Sequence, residues 1–136
     1  MNRDVALIET VTGVLRGADG AVRTFKGVPY AAAPVGELRW RAPQPAKAWA
    51  GQRDALRFGP ICPQPGAHPP HGMSEDCLTL NIWTPAGARG LPVMVWFHGG
   101  GWRRGAGSSG RTHGENLASQ SVVIVTVNFR LGILGF

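Results

Sequence analysis

The run Pro92-Val-Met-Val-Trp-Phe97 leads straight into His98-Gly99-Gly100-Gly101, and no other stretch constrains the chain as strongly. A short continuous apolar run reads as a strand buried in a sheet. Three successive residues without a Cβ mark a place where the backbone turns tightly or approaches something closely. N–H donors fixed in such a loop suit negative charge developing on a carbonyl oxygen, so the junction points to acyl transfer. The counterpart is missing, because the sequence contains no Gly-x-Ser-x-Gly, the strained turn that presents a serine nucleophile. These residues therefore make half of an active site.

A length of 136 residues, with 43% hydrophobic and 16% charged residues, reads as one soluble globular unit with a real core. No apolar run approaches membrane-spanning length. The opening Met1-Asn-Arg-Asp-Val-Ala6 lacks the apolar centre and small-residue cleavage site of a secretory signal, so the expected location is cytoplasmic. The formal charge is +6, from 14 basic and 8 acidic residues, and nearly all the basic ones are arginines scattered from Arg3 to Arg130. Only Arg103 and Arg104 are adjacent, so no clustered face for nucleic acid is read. Cys62 and Cys77 allow either a disulfide or two reduced thiols. His68 and His71 between them complete a formal four-ligand set, but the spacing matches no standard zinc site and prolines stiffen the loop, so no metal is assigned.

Residues Ile8–Thr12, Gly13–Arg16 and Val22–Val28 alternate around the turn signal Gly17-Ala-Asp-Gly20, which predicts a small antiparallel hairpin or meander. From Pro29 to Pro70 the chain carries most of its eleven prolines together with Trp40 and Trp49, as expected for ordered coil packed over something larger. Leu78–Thr84 alternates with period two and stops at Pro85, which predicts a strand near a sheet edge. Val93–Phe97 and Val122–Val127 are continuous apolar runs, expected to be parallel strands covered on both faces. A helix should cross between them, opened by the capping box Thr112-x-x-Glu115 and offering Leu117 and Ala118 as its apolar face. The glycine loop then lies at the carboxyl end of the first strand of a parallel unit.

Several blocks occur in a telling order: Gly27-Val-Pro-Tyr-Ala31, Pro34-Val-Gly-Glu-Leu-Arg-Trp40, Trp49-x-Gly51, Gly59-Pro-Ile-Cys-Pro-Gln64, Ser74-Glu-Asp-Cys-Leu-Thr-Leu-Asn-Ile-Trp-Thr-Pro85, the Pro92–Gly101 junction and Asn128-Phe-Arg-Leu-Gly132. Together they resemble the amino-terminal part of a type-B carboxylesterase, the family of bacterial para-nitrobenzyl esterases, fungal lipases and cholinesterases. The resemblance covers nearly the whole chain, and Glu75–Pro85 is its most diagnostic block. It implies the amino-terminal portion of one α/β-hydrolase domain spanning residues 1–136, with an antiparallel start followed by a mixed, mostly parallel sheet. The fold would be incomplete and would need the remainder of the domain.

Carried over by resemblance, the oxyanion donors fall on the backbone N–H groups of Gly100 and Gly101. Gly99 supplies the bend and, with Trp102, borders the substrate, although Trp102 packing over the loop is an equal reading. His98 holds the loop rather than acting as a base. Arg39 and Glu75 match a buried salt bridge, Cys62 and Cys77 match the amino-terminal disulfide, and Arg130 matches an arginine that pairs with an acid outside this sequence. The nucleophile, the catalytic acid and histidine, and a third oxyanion donor also lie outside it. The implied activity is serine-dependent hydrolysis of a small-molecule carboxylic ester, with no cofactor and no metal, although the isolated chain is expected to be inactive.

Two rivals stand beside this reading. Gly105-Ala-Gly-Ser-Ser-Gly-Arg-Thr112 has the spacing of a phosphate-binding loop, but Arg111 stands where lysine is required and the loop does not leave its strand directly. A glycine-serine loop bordering a substrate gorge explains it better. Alternatively the chain belongs to a cholinesterase-like interaction module without catalysis, or is a non-functional truncated product. The last strand is expected to leave an apolar edge, so the isolated chain should aggregate or fold only in part.

Overall fold

The computed structural model describes residues 5–110 and 113–136. The first residues of the presumed non-signal amino terminus, and Arg111 and Thr112 of the phosphate-loop and capping-box readings, lie outside the described residues. Seven strands form one sheet: β1 (Val5–Thr10), β2 (Gly13–Ala18), β3 (Val22–Pro29), β4 (Gln52–Asp54), β5 (Thr79–Pro85), β6 (Val93–Phe97) and β7 (Val123–Val127). The order is β1-β2-β3-β5-β7-β6, with β4 added to β2.

The meander expected at the start is present, since β1, β2 and β3 pair antiparallel in sequence. Its first turn falls at Val11-Thr12, where the Thr10 hydroxyl donates to the Gly13 carbonyl at 2.7 Å. Gly17 belongs to β2 rather than to the following turn. It is glycine because the Thr24 carbonyl and the Phe25 ring occupy the space a Cβ would need. β3 then pairs antiparallel with β5 through a bulge between Phe25 and Val28. Gly27, at φ 67°, donates its N–H from that bulge to the Asn81 side chain at 3.0 Å.

β5 is not near an edge. It is flanked by β3 and β7, both antiparallel to it, and Trp83 and Asn81 on it are each 1% exposed. Pro85 misled the reading because it occupies the terminal position of the strand, where its missing N–H interrupts little of the ladder. The parallel pairings in this stretch are β6 with β7 and the short β4 with β2, so the sheet is antiparallel at its start and mixed beyond.

The Pro29–Pro70 segment is ordered coil, as expected, with β4 and one 3-10 turn (Gly36–Leu38) within it. Trp49 packs against the buried group Ala6, Leu15, Phe25, Val28 and Ala55, and its indole N–H donates to the Val14 carbonyl at 3.0 Å. Trp40 is by contrast 63% exposed, and its indole N–H reaches the Ile133 carbonyl at 2.8 Å.

The crossover helix is a single turn, α1 (Glu115–Ala118). Gly114 occupies the N-cap and Glu115 is the first helical residue. Packing fixes this start. A Cβ on Gly114 would stand 2.6 Å from Ile124 and 2.9 Å from the Trp83 ring. Ala118 completes a buried group with Trp83 and Ile124, whereas Leu117 faces solvent.

The expectation that both parallel strands are covered on both faces holds for neither in full and fails for β6. β7 is an interior strand, whereas β6 is the sheet edge, and all five of its residues are between 47% and 64% exposed. Phe97 at its end meets the Phe129 ring, with centroids 6.3 Å apart. The apolar edge anticipated beside the last strand is therefore β6 itself.

Tyr30 ties the coil to the end of β7 by donating its hydroxyl to the Asn128 carbonyl at 2.7 Å. Burial of that hydroxyl raises its pKa from the ordinary value of 10.0 to about 12. The folded state then holds the phenolic proton more tightly than the unfolded state. Its contribution is intact below about pH 10 and is lost as pH climbs through about 12. Tyr30→Phe should flatten this alkaline loss in urea-unfolding midpoints measured across that range, and cost about 0.5–1.5 kcal/mol at neutral pH. Expressed alone, the 136-residue chain should self-associate through β6, and Met94→Lys with Trp96→Lys should shift it towards monomer in sedimentation velocity. A wild-type monomer with a cooperative melt would contradict this.

Candidate active site

β6 delivers the chain to His98 at its carboxyl end, and the following residues form a tight loop. Gly100 has φ 133°, Gly101 φ 61° and Trp102 φ 60°, so three consecutive residues occupy the left-handed half of conformational space. Gly99 does not, and the bend assigned to it is made instead by Gly100, Gly101 and Trp102. The Gly100 carbonyl accepts from the N–H groups of both Arg103 and Arg104, at 3.2 and 3.3 Å, which closes the turn. A Cβ on Gly100 would overlap the Arg104 carbonyl. Trp102 tolerates its strained backbone because its carbonyl accepts from Gly132 N–H at 2.7 Å and its ring meets Phe129 and Phe136.

The N–H groups of Gly99, Gly100 and Gly101 donate to no acceptor among the described residues. The three residues are solvent-exposed and line a cavity of about 230 Å³, where their N–H groups are open to a ligand. His98, Trp102, Arg104, Phe129 and Leu131 complete its wall. Trp102 thus does both things left open for it: it borders the cavity and packs on its neighbours.

His98 lies flat on Phe129, with ring centroids 4.2 Å apart and planes 10° from parallel. Its Nδ1 stands 3.0 Å from the Gly99 carbonyl, which the Nδ1–H tautomer would satisfy as donor. Gly105, at φ 120°, comes so close that a Cβ there would strike both His98 and the Gly99 carbonyl. The ring acts as a spacer between the outgoing and returning arms of the loop.

The returning arm is pinned from below by side chains that the sequence reading gave no role. Gln64 grips Gly105 at two points, accepting its N–H at 2.7 Å and donating to its carbonyl at 2.9 Å. Gly107 N–H donates to the Asn128 side chain at 2.8 Å, and the Gly107 carbonyl accepts from the Thr126 hydroxyl at 2.7 Å. The Asn81 amide donates to Thr126 at 3.0 Å and so links this anchor to the Gly27 bulge. Because its N–H is already used and its Cα rests on the Val127 backbone, Gly107 is not free to cradle a phosphate.

The remaining residues singled out in the sequence lie apart from the loop or beneath it. Arg39 and Glu75 form the expected ion pair, two-point at 2.6 and 2.7 Å, with side chains 41% and 27% exposed in this segment. The hydrogen bond to Glu75 raises the Arg39 pKa further, and the open setting screens the interaction. Cys62 and Cys77 are buried free thiols rather than a disulfide, in one apolar group with Ala31, Leu78 and Leu131. Cys62 Sγ accepts the Leu131 N–H at 3.1 Å. The hydrogen bond between the two thiols, with burial, pushes Cys77 up. Arg130 donates to the Arg41 carbonyl at 2.9 Å and meets no carboxylate among the described residues.

A profile described as the carboxylesterase family matches residues 4–136. The chain belongs to the carboxylesterase family. It is 51% identical to a fumonisin B1 esterase of Sphingopyxis macrogoltabida over 93% of this chain and 25% of that protein. It is 42% identical to a para-nitrobenzyl esterase of Bacillus subtilis over 96% of this chain and 28% of that one. Among solved structures, a Geobacillus stearothermophilus carboxylesterase superposes with TM-score 0.90 at 45% identity, over 96% of this chain and 27% of the other. The fold is therefore the corresponding part of an α/β hydrolase, and the chain spans about a quarter of the length of the curated relatives it matches. No helix among the described residues of this carboxylesterase-family chain is long and apolar enough to cross a membrane.

If the buried polar anchor sets the loop, Asn128→Ala should leave Gly107 N–H unsatisfied and cost about 1–3 kcal/mol in chemical denaturation of the full-length protein. Gly105→Ala should be at least as damaging, whereas Gly66→Ala, also at positive φ but with open space around it, should cost about 1 kcal/mol.

Proposed function

We propose that this segment supplies the oxyanion-binding half of a serine carboxylesterase acting on small-molecule carboxylic esters. The observation that carries the reading is the set of unpaired N–H groups at Gly100 and Gly101, held in a loop whose every neighbouring turn is fixed. Such donors need no reorganisation when a carbonyl oxygen becomes an oxyanion, which is why they stabilise the transition state more than the ground state.

In the proposed reaction a serine outside this segment attacks the ester carbonyl while a histidine backed by an acid takes its proton. The tetrahedral oxyanion is held by Gly100 and Gly101, and collapse expels the alcohol as the histidine returns the proton. Water then cleaves the acyl-enzyme by the same route. His98 has no part in proton transfer here, because its ring is stacked on Phe129 and its Nδ1 faces the Gly99 carbonyl. Trp102, His98 and Phe129 supply the apolar side of the binding cavity. Family relatives named for fumonisin B1, phenmedipham and para-nitrobenzyl esters show that membership alone selects no substrate.

Replacing Gly100 or Gly101 by glycolic acid in the full-length protein exchanges one N–H for an ester oxygen without adding a side chain. The turnover number for p-nitrophenyl acetate should fall about 10²–10³-fold, the usual loss for one such donor. Unchanged turnover would remove the donors from the mechanism. The 136-residue chain alone should show no phosphonate-sensitive hydrolysis above background.

A further inference from the structure

Arg103 and Arg104 follow the oxyanion turn directly, and both are exposed. Arg16, Arg23 and Arg39 are each paired with a carboxylate, to Asp54, Asp19 and Glu75. The side chains of Arg103 and Arg104 have no carboxylate and no hydrogen-bond acceptor among the described residues. Two adjacent, uncompensated guanidinium groups therefore stand beside the loop that carries the unpaired N–H donors.

Their placement is not casual. A cavity of about 530 Å³ is lined by Gly100, Gly101, Arg103, Arg104 and Pro65, so the donors and both arginines face one volume. Arg104 also borders the smaller cavity with His98, Trp102 and Phe129. The backbone under the pair is fixed at both ends, by the Gly100 carbonyl on one side and by the grip of Gln64 on Gly105 on the other. A guanidinium on a rigid base recognises a carboxylate through paired N–H···O bonds.

From this geometry we infer that the preferred substrate is an ester bearing a free carboxylate close to the scissile bond, read by Arg103 and Arg104 while the ester carbonyl sits on Gly100 and Gly101. The inference rests on the proposed function and narrows it to a substrate class. The carboxylate can sit on the acyl part or on the alcohol part, and the same pair would recognise either.

The test uses the full-length hydrolase and two matched pairs of esters. For the acyl side, 4-nitrophenyl hydrogen glutarate is compared with 4-nitrophenyl valerate; for the alcohol side, 4-carboxyphenyl valerate with phenyl valerate. At least one charged ester should exceed its neutral partner in kcat/KM, and the pair that does so identifies the side. The advantage should fall at least tenfold in Arg103→Ala/Arg104→Ala, persist in large part in Arg103→Lys/Arg104→Lys, and shrink as salt is raised. Arg57→Ala/Arg89→Ala, which also removes two positive charges but away from the glycine loop, should leave the ratio in place and so separates local recognition from net charge. A ratio that survives the double alanine variant, or no advantage for either charged ester, overturns the inference while leaving ester hydrolysis intact. If the wild type cleaves none of the four, the proposed function fails and this reading falls with it.

Discussion

The geometry of the glycine loop depends on one buried interaction, the capture of Gly107 by the sheet. Its N–H and carbonyl are both held by side chains of β7 and the residue after it, and Asn81 on β5 joins the same network. These groups are almost fully buried, and each is hydrogen bonded. A polar network inside a sheet is favourable only when it is satisfied, and this one is satisfied by a loop backbone rather than by water. The loop is thereby built into the core, and the residues just before it inherit that rigidity.

A division of labour follows. Below the loop, Gln64, Thr126 and Asn128 fix where the backbone returns; above it, His98 keeps the two arms apart while stacked on Phe129. Between them, the Gly100, Gly101 and Trp102 backbone adopts conformations that cost energy elsewhere and are stable here because both ends are held. The donors of Gly99, Gly100 and Gly101 remain open among the described residues. Preorganisation of this kind resides in the supports as much as in the glycines.

The strands and the glycine loop were legible because periodicity and a bare Gly-Gly-Gly are local signals. The supports were not. Gln64 is 41 residues from Gly105, and Thr126 is 19 from Gly107, so nothing near either residue announces its partner. One reading failed. Pro85 reads as an edge signal, yet it ends an interior strand. Sequence identifies who meets whom more readily than how much water attends the meeting. The exposure of β6 shows the same gap, since its composition is that of a covered strand and all five of its residues are exposed in this segment.

The separation between frame and side chains at the turn has a consequence for how such a loop can diversify. Gly100 and Gly105 admit no Cβ, because neighbouring backbone already fills the space. The side chains of Arg103 and Arg104, between those two fixed points, are exposed and make no hydrogen bond among the described residues. Changes to these side chains leave the frame untouched. In evolutionary terms the turn is a socket with two interchangeable pins, whose charge and size can be rewritten through two codons without renegotiating the backbone geometry around them.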